Sequence, residues 1–126
     1  LDTARRAASA GLPGVYMYNF DIDWSISPQL FGACHTSEIS HVFGTPYMVT
    51  GMNAAVADAM NRYWGAFART GNPNFDGAPG MWPAFGPDAM GVDSRIQFDL
   101  SPGYETLTSF RKDECQLWAD YAAAQP

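Results

Sequence analysis

The chain has 126 residues, of which 47% are hydrophobic and 16% are charged, a composition that suits a folded domain and excludes a disordered segment. Its formal net charge is −6, from 13 acidic and 7 basic side chains, and the basic ones are scattered except for the pairs Arg5-Arg6 and Arg111-Lys112. This distribution argues against a nucleic-acid or anionic-lipid partner, and no apolar run is long enough for a membrane span. Because the chain begins at Leu1 rather than at methionine, we expect a processed chain or a piece of a longer one.

The first third of the chain predicts a helix, a strand, a long loop and a short helix. Residues 2–10, DTARRAASA, favour a helix that stops at GLPG. Residues 15–22, VYMYNFDI, are rich in β-branched and aromatic residues, which predicts a strand buried on both faces in a parallel sheet flanked by helices. The loop DWSISPQLFGAC then leads to His35, and TSEISHVF predicts a short helix with a threonine or serine cap.

The middle of the chain contains the clearest helical pattern. Between about Asn53 and Arg69, apolar residues recur every three or four positions, which predicts one buried stripe. Gly71 marks the end of this helix. The stripe consists of Val56, Met60, Tyr63, Trp64 and Phe67.

The last third predicts a packed loop, a strand and a closing helix. Residues 72–92 are dense in glycine and proline and contain Trp82 and Phe85, which favours a packed loop over a linker. Residues 95–100, RIQFDL, alternate like an edge strand, and residues 109–124 predict an amphipathic helix. Its apolar face would be formed by Phe110, Leu117, Trp118 and Tyr121. We expect Trp64, Phe67, Trp82 and Trp118 to be core aromatics.

These elements predict an incomplete sheet. A strand as apolar as residues 15–22 needs neighbours on both edges, because buried backbone donors and acceptors must be paired. Only one other strand is evident, at residues 95–100. We therefore predict part of a larger sheet protein. A self-contained small domain that binds a partner through the aromatic loop at 72–92 is the alternative.

The two cysteines leave three possibilities open. Cys34 and Cys115 can bridge to each other, pair with another chain, or remain buried thiols. They lie too far apart, in a chain with only two histidines, for the closely spaced ligand pairs of a metal site.

Four motifs follow one another along nearly the whole chain. They are GACHTSEISHVFGTP at 32–46, NRYWGAFARTGNPN at 61–74, MWPAF at 81–85 and ECQLWADY at 114–121. In this order they resemble the carboxyl-terminal quarter of the type B carboxylesterase and cholinesterase family. The resemblance implies an α/β-hydrolase fold, with a mostly parallel central sheet flanked by helices. Residues 1–126 would be the carboxyl-terminal segment of a single such domain, incomplete without the upstream chain.

The resemblance also assigns roles around the first motif. In the family, the histidine at the position of His35 is the general base of a Ser-Glu-His triad, and the glutamate at the position of Glu38 belongs to a buried network beside the site. The nucleophilic serine and the triad acid lie upstream and have no counterpart in this chain. Imidazole suits the role of the base, because it titrates near neutrality.

The implied activity is hydrolysis of carboxylic esters through an acyl-enzyme, without cofactor or metal, and the isolated chain is expected to be inactive. Its partners would be the upstream part of the same hydrolase and a small ester. Trp24 and Phe31, in the loop before His35, are candidates for a wall of the substrate pocket. His41 is expected to be structural or to face solvent.

Two further expectations depend on the resemblance. Many secreted relatives pair a cysteine at the position of Cys115 with one upstream of the present amino end, so a secreted or periplasmic location is favoured. Cholinesterase-like adhesion proteins use the same fold without catalysis, and a non-catalytic binding protein is therefore the alternative function. The upstream serine would discriminate between the two.

Overall fold

The computed structural model describes residues 2–23, 32–45, 51, 53–86, 93–100 and 104–125. In chain order, its elements are α1 (Asp2–Ser9), β1 (Tyr18–Phe20), α2 (Ile39–Val42), α3 (Ala54–Thr70), β2 (Ser94–Phe98), β3 (Tyr104–Thr108) and α4 (Lys112–Ala123). No helix in these ranges has the length and apolar character that crossing a bilayer requires.

The three strands form one sheet in the order β1-β2-β3. β1 and β2 are parallel, with Tyr18 opposite Ile96, and β2 and β3 are antiparallel, with Ile96 opposite Thr106. The parallel pair is connected through α2 and α3, as parallel neighbours require a crossover that usually contains a helix.

β2 is the central strand, so the prediction of an edge strand at 95–100 was wrong. The alternation of polar and apolar residues suggested a half-exposed strand, yet its polar side chains are covered by neighbouring elements. Arg95 is only 8% exposed and its guanidinium lies 4.9 Å from the centre of the Phe110 ring. Asn19 of β1 donates to the side-chain carbonyl of Gln97 at 3.2 Å. β1 and β3 are the outer strands of this sheet, and the sequence analysis missed β3 because YETLT is largely polar.

β1 differs from its prediction in burial. Tyr18 is 37% exposed, and the other two residues of β1 are half-buried, so the strand is not buried on both faces. Within the described ranges, β2 is its one partner strand, and the opposite edge of β1 is open.

The core lies between α3, β2 and the loop that follows α3. Its fully buried centre consists of Tyr63, Phe98, Ile22, Met60 and Ile96. The prediction of α3 is confirmed to within a residue at each end, and Gly71 terminates it in the left-handed conformation, with φ of 74°. The backbone N–H of Gly71 donates to the Phe67 carbonyl at 2.8 Å, as in a common helix C-terminus.

The loop after α3 is packed, as predicted, over residues 72–86; residues 87–92 lie outside the described ranges. Trp82 and Phe85 are 5% and 4% exposed. The Trp82 indole N–H donates to the Met17 carbonyl at 2.8 Å. The Asn74 side chain accepts from the Trp82 N–H at 2.8 Å and donates to the Trp82 carbonyl at 2.9 Å, which closes the loop on itself, and the bond to Met17 holds it beside the start of β1.

α4 is present but not packed on the core, which corrects the prediction for its aromatic residues. Leu117, Trp118 and Tyr121 are 66%, 68% and 59% exposed, and no residue of α4 is buried. Phe67, on α3, is also exposed at 44%, whereas Trp64 packs against the core. The sequence therefore correctly predicted the helix, but its apolar face is not covered by any described part of the chain.

Candidate functional site

His35 lies in a turn that immediately precedes α2, and its side chain is exposed. The turn is closed at the Cys34 carbonyl, which accepts from the Ser37 backbone N–H at 3.1 Å and from the Ser37 hydroxyl at 2.6 Å. The Ile39 N–H donates to the Thr36 carbonyl at 3.2 Å. These bonds hold the backbone on both sides of His35 and leave its imidazole free to meet another group.

Thr36 has the left-handed conformation, with φ of 73°. This region is unfavourable for a β-branched residue, because its Cβ crowds the backbone. A residue stays in it when the surrounding structure imposes it, and such residues concentrate at functional sites. The strain falls on the residue next to His35.

The predicted serine or threonine cap of α2 is not formed. The N-cap position is Glu38, without a side-chain cap hydrogen bond. The Ser37 hydroxyl is used instead to close the turn, and Ser37 is only 2% exposed. The local hydrogen bonds therefore serve the segment that carries His35 rather than the start of the helix.

His41 is fully buried, which confirms the structural alternative given for it and excludes a solvent-facing ring. Its ring packs edge-on against Phe20 of β1, with the ring centres 5.0 Å apart. Nδ1 lies 3.3 Å from the Ser37 carbonyl oxygen, which can only accept, so a hydrogen bond here requires the tautomer protonated at Nδ1. Nε2 is buried without a hydrogen-bond partner in the part of the chain that the structure describes.

Burial lowers the pKa of His41, and the hydrogen bond to the Ser37 carbonyl opposes this shift. A pKa below the ordinary value of about 6.5 keeps the ring neutral at physiological pH. His41 is therefore a neutral donor in the interior, whereas His35 is the histidine available at the surface.

Glu38 is half-buried and lies close enough to β1 to act on Tyr18. The pKa of Tyr18 is raised, first by burial and then by the negative charge of Glu38. The Glu38 side chain is thus partly shielded from solvent. Its predicted membership of a network beside the active site stays a prediction.

The remaining predicted site residues give no further geometry. Trp24 and Phe31 lie outside the described residues. Cys34 and Cys115 are both free and half-buried, so the structure contains neither a bridge between them nor a fully buried thiol at either position.

A shallow aromatic pocket of about 140 Å³, whose lining does not include His35, lies between β1, α3 and the loop after α3. It is lined by Tyr16, Tyr18, Trp64, Phe67, Pro73 and Trp82. Sequence analysis missed it, although the spacing of aromatic residues in VYMYNF and in RYWGAF was a usable signal. Apart from two tyrosine hydroxyls its lining has no acid or base, so the pocket suits packing rather than proton transfer.

Comparison with known proteins follows the same motifs. The family model described as "Carboxylesterase family" matches residues 1–118. Carboxylesterase 4A of Bos taurus is 32% identical over 124 residues, a match that covers 94% of this chain and 21% of that protein. The medium-chain fatty acyl-CoA hydrolase precursor of Anas platyrhynchos is 36% identical over 125 residues, with coverage of 94% and 21%. The chain therefore spans about a fifth of the length of these relatives.

The fold matches solved structures in the same way. The carboxylesterase EST55 of Geobacillus stearothermophilus, solved at pH 6.2, superposes with a TM-score of 0.73 at 27% identity, over 92% of this chain and 24% of that one. The PNB esterase gives a TM-score of 0.67 at 24% identity, over 81% and 20%. The fold prediction is confirmed: the chain has the architecture of one part of an α/β-hydrolase.

Proposed function

The chain belongs to the carboxylesterase family, and from this premise we propose that it is the carboxyl-terminal part of a serine carboxylesterase that hydrolyses small carboxylic esters, with His35 as its general base. The observation that carries the proposal is the position of His35. It is presented by a hydrogen-bonded turn at the start of α2, inside the family match over residues 1–118.

The proposed mechanism uses the imidazole of His35 to transfer protons to and from a serine hydroxyl. A serine in the upstream part of the protein attacks the ester carbonyl as His35 accepts its proton, and His35 then gives that proton to the leaving alkoxide. In deacylation the same imidazole takes a proton from water and returns it to the serine. Backbone amides upstream would stabilise the oxyanion. No metal or other cofactor enters this scheme.

Glu38, Trp24 and Phe31 have secondary places in the proposal. Glu38 is half-buried, and its charge acts on Tyr18 of β1; we assign it to the polar network that supports the site. Trp24 and Phe31 would contribute a wall of the acyl or alcohol pocket.

The upstream part of the same protein is the proposed partner of this chain. Among the described residues, one edge of β1 has no partner strand, and the aromatic pocket that includes Tyr18 of β1 has exposed rings, with Phe67 at 44% and Tyr18 at 37% exposure. A neighbouring strand from upstream would pair with that edge and cover the rings, completing one α/β-hydrolase domain of which residues 1–126 are the last segment. A secreted or periplasmic location is part of the same proposal.

The test is His35→Ala in the complete protein. A short-chain p-nitrophenyl ester serves as substrate, and we expect kcat to fall by about 10³-fold or more, as for loss of a triad member. The melting temperature should stay within about 2 °C, because His35 is not part of the hydrophobic core formed by the described residues. Lys112→Ala, at an exposed position of α4, is the matched control and should leave kcat unchanged.

A fluorophosphonate probe separates the enzyme from the alternative. In the wild-type protein the probe should attach covalently to one serine, and His35→Ala should slow the attachment. Wild-type protein that neither reacts with the probe nor cleaves esters would instead be a non-catalytic binding protein. Ester turnover that persists in His35→Ala would refute the assignment of His35.

A further inference from the structure

The turn that carries His35 is connected to His41 through hydrogen bonds of Ser37. Two donors of Ser37 close the turn on the Cys34 carbonyl, at 2.6 and 3.1 Å. The carbonyl of the same residue then accepts from His41 Nδ1 at 3.3 Å. Ser37 is thus connected at one end to the residue before His35 and at the other end to α2.

Packing alone does not explain a histidine at position 41. The ring is fully buried and lies against Phe20, where a phenylalanine would bury apolar surface without the cost of desolvating a ring nitrogen. Burial of Nε2 is destabilising, because this nitrogen loses its contact with water and has no hydrogen-bond partner among the described residues. What a histidine provides here and a phenylalanine lacks is the Nδ1 donor.

The geometry points to His41 as a positioning residue for His35 that acts through the Ser37 carbonyl. This inference rests on the proposed role of His35 as general base. The Ser40 hydroxyl is a second donor to the same carbonyl, at 3.4 Å, which is well beyond the usual O–H···O range, whereas the 3.3 Å from His41 Nδ1 is just beyond the usual N–H···O range. His41 is the donor attached to a rigid, immobilised ring.

Thr36 explains why such an anchor matters. Its left-handed φ of 73° is a conformation that a threonine leaves unless its neighbours prevent it. His35 precedes it directly, so relaxation of Thr36 would displace the imidazole. A displacement of the order of 1 Å in a catalytic group is enough to slow turnover by up to about a hundredfold.

Two substitutions in the complete protein separate the donor from the ring. His41→Phe keeps the aromatic contact with Phe20 and removes the donor. His41→Asn removes the ring and keeps an amide N–H two bonds from Cβ, where Nδ1 lies. We expect kcat of His41→Phe to fall about tenfold or more, with KM changed less than about threefold. His41→Asn should keep kcat within about threefold of wild type, yet melt at the lower temperature of the two.

This opposite ranking is the decisive result, since a purely structural histidine would make His41→Phe better than His41→Asn in both assays. Equal kcat in His41→Phe and wild type would overturn the inference while leaving the role of His35 intact. His35→Ala is run alongside, and its full activity would instead refute the proposed function.

A spectroscopic measurement on the wild-type protein tests the hydrogen bond independently of activity and of how well the variants fold. In histidine-labelled protein, two-bond ¹⁵N–¹H correlations report which ring nitrogen of His41 carries the proton. We expect the neutral form protonated at Nδ1. A proton on Nε2 would mean that Nδ1 does not donate to Ser37 and would overturn the inference.

Discussion

Removing the hydroxyl of Tyr63 should destabilise the protein measurably, although the ring would remain in place. Tyr63 is fully buried in the core. Its hydroxyl donates to the Gly80 carbonyl at 2.5 Å and accepts from the Gly80 N–H at 3.2 Å. These two bonds close the loop after α3 onto the helix. Tyr63→Phe removes both and leaves two backbone groups of Gly80 without their partner.

The magnitude follows from those two bonds. A net contribution of about 0.5–1.5 kcal/mol for each hydrogen bond gives a loss of about 1–3 kcal/mol in the free energy of unfolding. Because Gly80 is only half-buried, its N–H and carbonyl can form hydrogen bonds with water after the substitution. We therefore expect a loss in the lower half of this range. The assay is urea denaturation followed by tryptophan fluorescence, with an unchanged m-value required for the comparison.

Tyr121→Phe is the matched control for this measurement. Tyr121 lies on α4 and is 59% exposed, so the same loss of one hydroxyl should change the free energy of unfolding by less than about 0.5 kcal/mol. Equal stabilities of Tyr63→Phe and wild type would refute the reasoning, because the buried hydroxyl would then make no net contribution.

Two further predictions concern backbone geometry and pH. Gly14 and Gly11 both have positive φ, 74° and 73°, but a Cβ at Gly14 would lie 2.8 Å from the Gly71 carbonyl oxygen and one at Gly11 would meet nothing within 4 Å. Urea denaturation should therefore show a loss of about 1–2 kcal/mol for Gly11→Ala and at least about 1 kcal/mol more for Gly14→Ala; equal losses would contradict the clash. Burial lowers the folded-state pKa of His41, so the unfolded state binds more protons as pH falls below about 6.5. The stability from the neutral ring is thus present above that pH and lost as pH falls through the folded-state value, and His41→Phe should flatten this part of the stability–pH curve; an unchanged slope would contradict the assignment.

The local elements were predictable because their signals are local. α3 and its glycine stop follow from a 3.6-residue apolar period and one residue that accepts positive φ. The packed loop followed from Trp82 and Phe85 among glycines and prolines. The four motifs led to the family, and the family to His35. None of these inferences depends on which distant segments of the chain come into contact.

The sequence-based predictions failed where a residue's environment depends on distant segments. Alternation in RIQFDL suggested an exposed edge, yet β2 became central because β3 pairs on one side and β1 on the other. The apolar stripe of α4 predicted burial, yet Trp118 is 68% exposed. Periodicity identifies the face that can be buried, but burial requires a partner surface, and the described residues supply none for α4.

By itself the sequence determined the helices, the glycine turns and the order of the motifs that indicated the family, because each of these depends on neighbours within a few positions or on a residue pattern. Only the tertiary structure decided that His41 is buried against Phe20 of β1 beside the Ser37 carbonyl, and that, among the described residues, β1 has a partner strand on one edge alone. The physical reason is that desolvation and strand pairing are set by which chain segments come together in space, and the spacing of residues along one segment does not contain that information.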